Sequence, residues 1–217
     1  MCRYKIACVL NYIWSMPGHR EAFIGVSRDM PTFIVFANGI INHSKLLEDA
    51  LNHLPKIRAI TEEQRDTVAW AALTEEAREA KLHELEESRG VTKNSLLLAN
   101  ETVAMLSYLT EHIKEPFLCP ELKDRLASLL MGAITRLTGK RGRDLKVDNP
   151  GQYRFEPLKM LLSMCKTVLH LAGSDTFVQA CVSCLQIEEP TLRKAASILR
   201  RKGESRGPLS LAVAVAV

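Results

Sequence analysis

Four side chains in the carboxyl-terminal third, Cys165, His170, Cys181 and Cys184, are of the types that hold a soft metal. A C-x2-C pair with one more cysteine and a histidine could complete a tetrahedral zinc site. Zinc knuckles, however, hold their paired cysteines in tight turns. Here Ala180-Cys181-Val182 continues a helical pattern and Cys165 takes an inward position on another helix, so packed thiols and no metal are expected.

The loop Gly139-Lys140-Arg141-Gly142 has the glycines and cations of a phosphate cradle. The G-x4-G-K-[ST] spacing nevertheless fails, both at the first glycine and at the hydroxyl residue. Lys140, Arg141, Arg143, Lys146 and Arg154 could contact nucleic acid, but Asp144 and Asp148 are interleaved with them and only Tyr153 and Phe155 could stack nearby. That pattern predicts a solvated basic loop and no nucleic-acid partner. The six histidines (His19, His43, His53, His83, His112 and His170) are scattered, with no nucleophile elbow and no H-E-x-x-H. No catalytic, cofactor-binding or metal-binding residue is assigned, and no cofactor is expected. The acidic stretch Glu75-Glu76, Glu79, Glu84 and Glu86-Glu87 is interspersed with Arg78, Lys81 and Arg89, the pattern of an exposed helix.

These groups sit on a chain of 217 residues, long enough to bury one substantial core. Hydrophobic residues at 47% and charged residues at 25% exclude disorder, a collagen-like repeat or a disulfide scaffold as descriptions of the whole chain. The six cysteines are irregularly spaced in a chain that can fold without staples, which indicates reduced thiols, as in cytosol or nucleus. Few aromatics, with Gly 11 and Pro 9, point away from a turn-rich β architecture. No run reaches the ~18 apolar residues of a membrane span, because Asn11 interrupts the patch Ile6 to Leu10. No cleavage site follows the Arg3 and Lys5 start. A soluble chain without a signal peptide or membrane partner is expected. The net charge of +4 is uneven: residues 1–115 carry thirteen basic against sixteen acidic side chains, and residues 116–217 carry sixteen against nine.

Spacings of three and four then predict the elements. Ile6, Val9, Leu10 and Ile13, then Phe33, Ile34, Phe36 and Ile40, then Leu46, Leu47, Ala50, Leu51 and Leu54 each read as one apolar helix face needing a covering helix. The Glu-rich stretch from Thr61 to Arg89 predicts a solvated helix packed through Leu82 and Leu85 and ended by Gly90. A helix from about Thr92 to Ile113 turns Val103, Leu106, Leu109 and Ile113 inward. The clearest stripe follows Pro120: Leu122, Leu126, Leu129, Leu130, Ala133, Ile134 and Leu137. A second proline-initiated helix spans Pro157 to Ala172, and two shorter ones follow at roughly Thr176 to Ile187 and Pro190 to Lys202. This succession predicts stacked helix pairs rather than a sheet protein.

The run Phe117-Leu118-Cys119-Pro120-Glu121-Leu122-Lys123-Asp124-Arg125-Leu126-Ala127 resembles the core of the ubiquitin chain elongation factors, the U-box family of ubiquitin conjugation factors. The likeness continues through Arg143-Asp144-Leu145-Lys146-Val147-Asp148-Asn149-Pro150-Gly151-Gln152-Tyr153-Arg154-Phe155-Glu156-Pro157. Asn100-Glu101-Thr102-Val103-Ala104-Met105, the segment Ile40 to Leu51 and Arg3-Tyr4-Lys5 look like the same core. The resemblance spans about residues 3–202, weakening after Ala172. It implies an all-α, elongated, irregular α-solenoid of armadillo-like helix pairs.

It also implies a function. Such a core serves as scaffold in a ubiquitin-protein ligase whose U-box recruits a charged ubiquitin-conjugating enzyme and extends chains on ubiquitinated substrates, in cytoplasm and nucleus. The family also docks the AAA unfoldase valosin-containing protein. The D-P-[LIM]-type loop of a U-box does not follow the core here. Residues 203–217, ending in alternating alanine and valine, match nothing in the family and are expected to be a disordered tail. The sequence therefore reads as an internal piece of a longer protein or a truncated gene model, inactive alone. The alternative is a non-catalytic helical interaction scaffold.

Overall fold

The computed structural model describes residues 2–139, 142, 144–184 and 190–201. Among these the chain forms ten α-helices and a 3-10 turn at Pro150–Tyr153, with no strand. The helices are α1 (Cys2–Trp14), α2 (Pro17–Val26), α3 (Met30–Arg65), α4 (Thr67–Ala72), α5 (Glu75–His112), α6 (Glu115–Leu118), α7 (Pro120–Thr138), α8 (Pro157–Leu171), α9 (Asp175–Ser183) and α10 (Pro190–Arg201). Pro17, Pro120 and Pro157 each open a helix, where a missing N–H leaves no bond unmade. The expected basic-loop residues Lys140, Arg141 and Arg143, the ends of the last two expected helices at Ile187 and Lys202, and the expected tail lie outside the described residues.

Two long helices form the spine. On α3 the buried positions Phe33, Ala37, Ile40, Ile41, Ser44, Leu47, Ala50, Leu51, Leu54, Ile57 and Ile60 recur every three or four residues. They face α5, and this is the most extensive helix pair in the chain. The other flanks of α5 carry α1 and α8, while α7 packs on α3, α8, α9 and α10. The result is the all-α, solenoid-like stack that the succession of amphipathic helices predicts. Leu122, Leu126, Leu130 and Ile134 on α7 are fully covered, and full burial of each such side chain contributes roughly 1.5–3 kcal/mol. Aromatic rings join the layers: Phe33 meets Phe117 edge-on at 6.0 Å, and Trp14 stacks on Tyr108 at 4.6 Å.

The stretch from Thr61 to Arg89 is not one helix. α3 stops at Arg65, the Asp66 carboxylate caps α4 by accepting the Ala69 N–H at 3.0 Å, and the Thr74 hydroxyl caps α5 by accepting the Ala77 N–H at 3.2 Å. Nor does Gly90 end a helix, because α5 runs through it to His112. Leu85, Ser88, Thr92, Ser95, Leu96 and Ala99 are buried on either side of Gly90, and that continuous face outweighs one glycine's propensity cost of about 1 kcal/mol. Leu82 is 43% exposed, so the helix packs through Leu85 and small polar residues instead. The face assigned to α1 is corrected in part, for Leu10 does pack against the core and Ile13 is half-buried. Ile6 and Val9 are 53% and 58% exposed, and the covered residue is Ala7. The small side chain lets α1 sit close on α5, with Ile6 and Val9 to the outside.

Candidate functional site

The four soft-ligand candidates are dispersed into packing. Cys165 is buried on α8 and Cys181 on α9, and burial pushes both thiols up to about 12. Cys184 donates its S–H to the Ala180 carbonyl at 3.1 Å, and His170 Nδ1 lies 3.1 Å from the Thr110 hydroxyl. Among the described residues no three His, Cys, Asp or Glu side chains converge as a metal site. His53 pairs similarly with Ser88 across α3 and α5 at 3.1 Å, while His19, His83 and His112 are exposed. The Glu-rich stretch forms surface pairs, Glu84 with Lys56 at 3.5 Å and Glu86 with Arg89 at 2.6 Å, and such exposed pairs contribute little.

Of the residues singled out in the sequence, those in the 144–157 segment do come together. This segment has no long regular element. It is pinned instead by alternate anchors: Leu145, Tyr153 and Phe155 are buried, while Lys146, Gln152 and Arg154 face outward. Its 3-10 turn rests on α5. Arg154 takes a left-handed backbone conformation (φ 53°), unusual for a residue with a side chain. Polar contacts hold it there. Asn100 Nδ2 donates to the Arg154 carbonyl at 2.9 Å, and Arg154 Nη1 donates to the Tyr4 hydroxyl at 3.0 Å. One position on, Glu101 accepts from Asn11 Nδ2 at 2.6 Å, and the Tyr108 hydroxyl donates to Asn11 Oδ1 at 2.8 Å. Burial, reinforced by the nearby Glu101 charge, raises the Tyr108 phenol well above its ordinary value and keeps it a neutral donor.

Segments quoted from three distant parts of the sequence, around Tyr4, Asn100 and Arg154, thus share one surface. Asn11 and Tyr108 were not anticipated. Each sits in a helical stretch whose periodicity says nothing about a partner far along the chain. The segment has a groove on each side. One, of about 220 Å3, lies between α5 and α8 and is lined by Asn100, Glu101, Arg154, Glu156 and Lys159. The other, of about 100 Å3, lies between α3 and α5 and is lined by Arg58, Arg65, Arg89, Lys146, Asp148 and Tyr153. Among the described residues, neither groove brings a nucleophile into hydrogen-bond reach of a general base.

A family model described as the ubiquitin elongating factor core matches residues 1–208. The chain belongs to that family. Among curated relatives, the "Probable ubiquitin conjugation factor E4" of Arabidopsis thaliana is 30% identical over 209 residues, covering 93% of this chain and 20% of its own length. The "Ubiquitin conjugation factor E4 A" of Rattus norvegicus is 29% identical over 179 residues, covering 78% and 17%. The "E4 ubiquitin-protein ligase UFD2" of Saccharomyces cerevisiae is 26% identical over 182 residues, covering 82% and 19%. The chain spans about a fifth of the length of these relatives. As a member of the elongating factor core family, it places that core's sequence in the stacked helices and in the pinned 144–157 segment.

Proposed function

We propose that the chain acts in ubiquitin chain elongation as the scaffold of a ubiquitin-protein ligase, holding a U-box that recruits the charged ubiquitin-conjugating enzyme. The match of the ubiquitin elongating factor core over residues 1–208 carries this reading. The physical division of labour supports it. A U-box forms no covalent intermediate; it orients the conjugating enzyme's thioester, so the rate comes from positioning rather than from a nucleophile in the core. A stack whose two spine helices have 36 and 38 residues, each about 55 Å long, suits a part whose task is to keep other modules at fixed separation.

In this reading the partners are the conjugating enzyme, already ubiquitinated substrates and the AAA unfoldase valosin-containing protein, and the place of action is cytoplasm and nucleus. The test is reconstitution with activating enzyme, conjugating enzyme, ubiquitin and ATP. Residues 1–217 alone should make no more chains than the conjugating enzyme does without them. Robust chain formation by these residues alone would refute the scaffold assignment and place a transfer site within them.

A further inference from the structure

We propose that the cleft between α3, α5 and the 146–153 segment is a docking site for one acidic side chain of a partner peptide. Its size of about 100 Å3 suits a carboxylate rather than a whole peptide. Charge matching in the cleft stops one cation short. Arg58 pairs with Glu62 at 2.7 Å, Arg65 with Asp148 at 2.6 Å and Arg89 with Glu86 at 2.6 Å. Lys146 is exposed and forms no salt bridge among the described residues, which leaves a single positive charge in excess.

Two polar groups in the lining are short of partners as well. Tyr153 is only 3% exposed and sits against the Arg89 guanidinium, yet neither its phenol oxygen nor Arg89 Nε makes a hydrogen bond of good geometry. A polar group shut away from water without a partner bears its full desolvation cost, so the arrangement is complete only when an acceptor enters. The complement must be small, offer only acceptors and carry one negative charge. A carboxylate meets all three conditions, whereas a phosphate dianion would overshoot the charge. Bound there, it would accept from Lys146 Nζ at the rim and from Tyr153 and Arg89 beneath. A glutamate or aspartate on an extended partner segment presents such a group with its backbone outside the cleft. The proposal does not depend on the ubiquitin reading, because its test needs only this chain and peptides.

The isotopically labelled chain is titrated with N-acetyl-triglutamate amide, with the triglutamine analogue and inorganic phosphate in parallel. The Nε–H resonances of arginine and the backbone amides of Lys146 and Gln152 are followed. A saturable shift of the Arg89 Nε–H by the glutamate peptide is expected, with none from the glutamine analogue. Lys146→Gln or Tyr153→Phe should weaken binding about fivefold, the scale of one charge-assisted contact. Lys146 is on the surface, so its variant remains informative if Tyr153→Phe fails to fold. The proposal is overturned by the absence of a saturable shift, by a response to phosphate as large as that to the peptide, or by undiminished binding in Lys146→Gln.

Discussion

Arg136 on α7 donates Nη2 to the Leu51 carbonyl on α3 at 2.5 Å, and that carbonyl is the one left without a helical donor by Pro55. Proline has no N–H to offer the carbonyl four residues earlier, so an interior proline ordinarily breaks or kinks a helix. Here a cation from the neighbouring helix supplies the missing donor, and its other amino group bonds the Asn52 side chain. Arg125, on the same helix, similarly reaches Asn38 and Asn42 of α3. α7 is therefore tied to the spine by directed polar contacts as well as by its leucine stripe.

The first prediction follows from that repair. Arg136→Met should cost about 1.5–3 kcal/mol in the parent chain, because it removes a charge-assisted bond and re-exposes the unpaired carbonyl. In a Pro55→Ala background the helix supplies its own N–H, and the same substitution should cost about 1 kcal/mol less. Urea unfolding of the four proteins measures the coupling. Equal costs in both backgrounds would show that Arg136 does not compensate for the proline.

Leu126 and Leu82 should respond oppositely to truncation. Leu126 has no exposed surface, and Leu126→Ala should lose ~2–5 kcal/mol through lost transfer energy and the cavity left behind. Leu82 is 43% exposed, so Leu82→Ala should stay within about 0.5 kcal/mol of the parent. Thermal unfolding of both variants checks the two helix faces together.

Gly90→Ala should stabilise the protein. Gly90 lies inside α5, and a Cβ there would meet nothing within 4 Å. Replacing glycine by alanine in an exposed helix interior contributes roughly 0.5–1 kcal/mol. A loss of stability in denaturant unfolding would instead mean that a left-handed helix end sits at this position.

His170 should make stability fall in mildly acidic solution. Burial, only partly opposed by Glu111, holds its pKa below the ordinary 6.5. Unfolded chains therefore take up the proton before folded ones as pH drops. This site's contribution is complete above pH 6.5 and is lost as pH falls from there towards the depressed folded value. Burial lowers His43 in the same direction, so the useful quantity is the difference between the parent and His170→Gln. The two stability curves should converge as pH falls below about 6.5; curves that stay parallel would contradict the assignment.

Legibility from sequence varied with how much of an element's packing is apolar. α7 could be read because Pro120 marks its start and its leucines recur at helical spacing onto a buried face. α5 could not, because Ser88, Thr92 and Ser95 supply much of its contact with α3 and leave the apolar period blank around Gly90. At α1 the apolar residues themselves mislead: Ile6 and Val9 look like a core face, while close packing through Ala7 sets the orientation. In the site, the 144–157 segment stood out as a motif, but its geometry did not. The bonds from Asn100 and Tyr4 to Arg154 span 54 and 150 positions, and no local pattern encodes a pairing at that distance. Cys165 was legible as core for the opposite reason, since helical register alone places it inward, whereas for Cys181 the pattern showed only that it lies in a helix.

The central claim, that this core scaffolds ubiquitin chain elongation, is tested most directly by supplying the recruiting module. A family U-box is fused after Lys202, and the rate of chain growth on a substrate already bearing ubiquitin is compared with that of the same U-box alone, at equal concentration and with the same conjugating enzyme. The account predicts faster elongation by the fusion, and loss of that advantage when a charge buried in the core by Leu126→Asp unfolds the stack. Equal rates for the fusion and the isolated U-box, with the fusion shown to be folded, would contradict it and favour a helical interaction protein with no part in chain transfer.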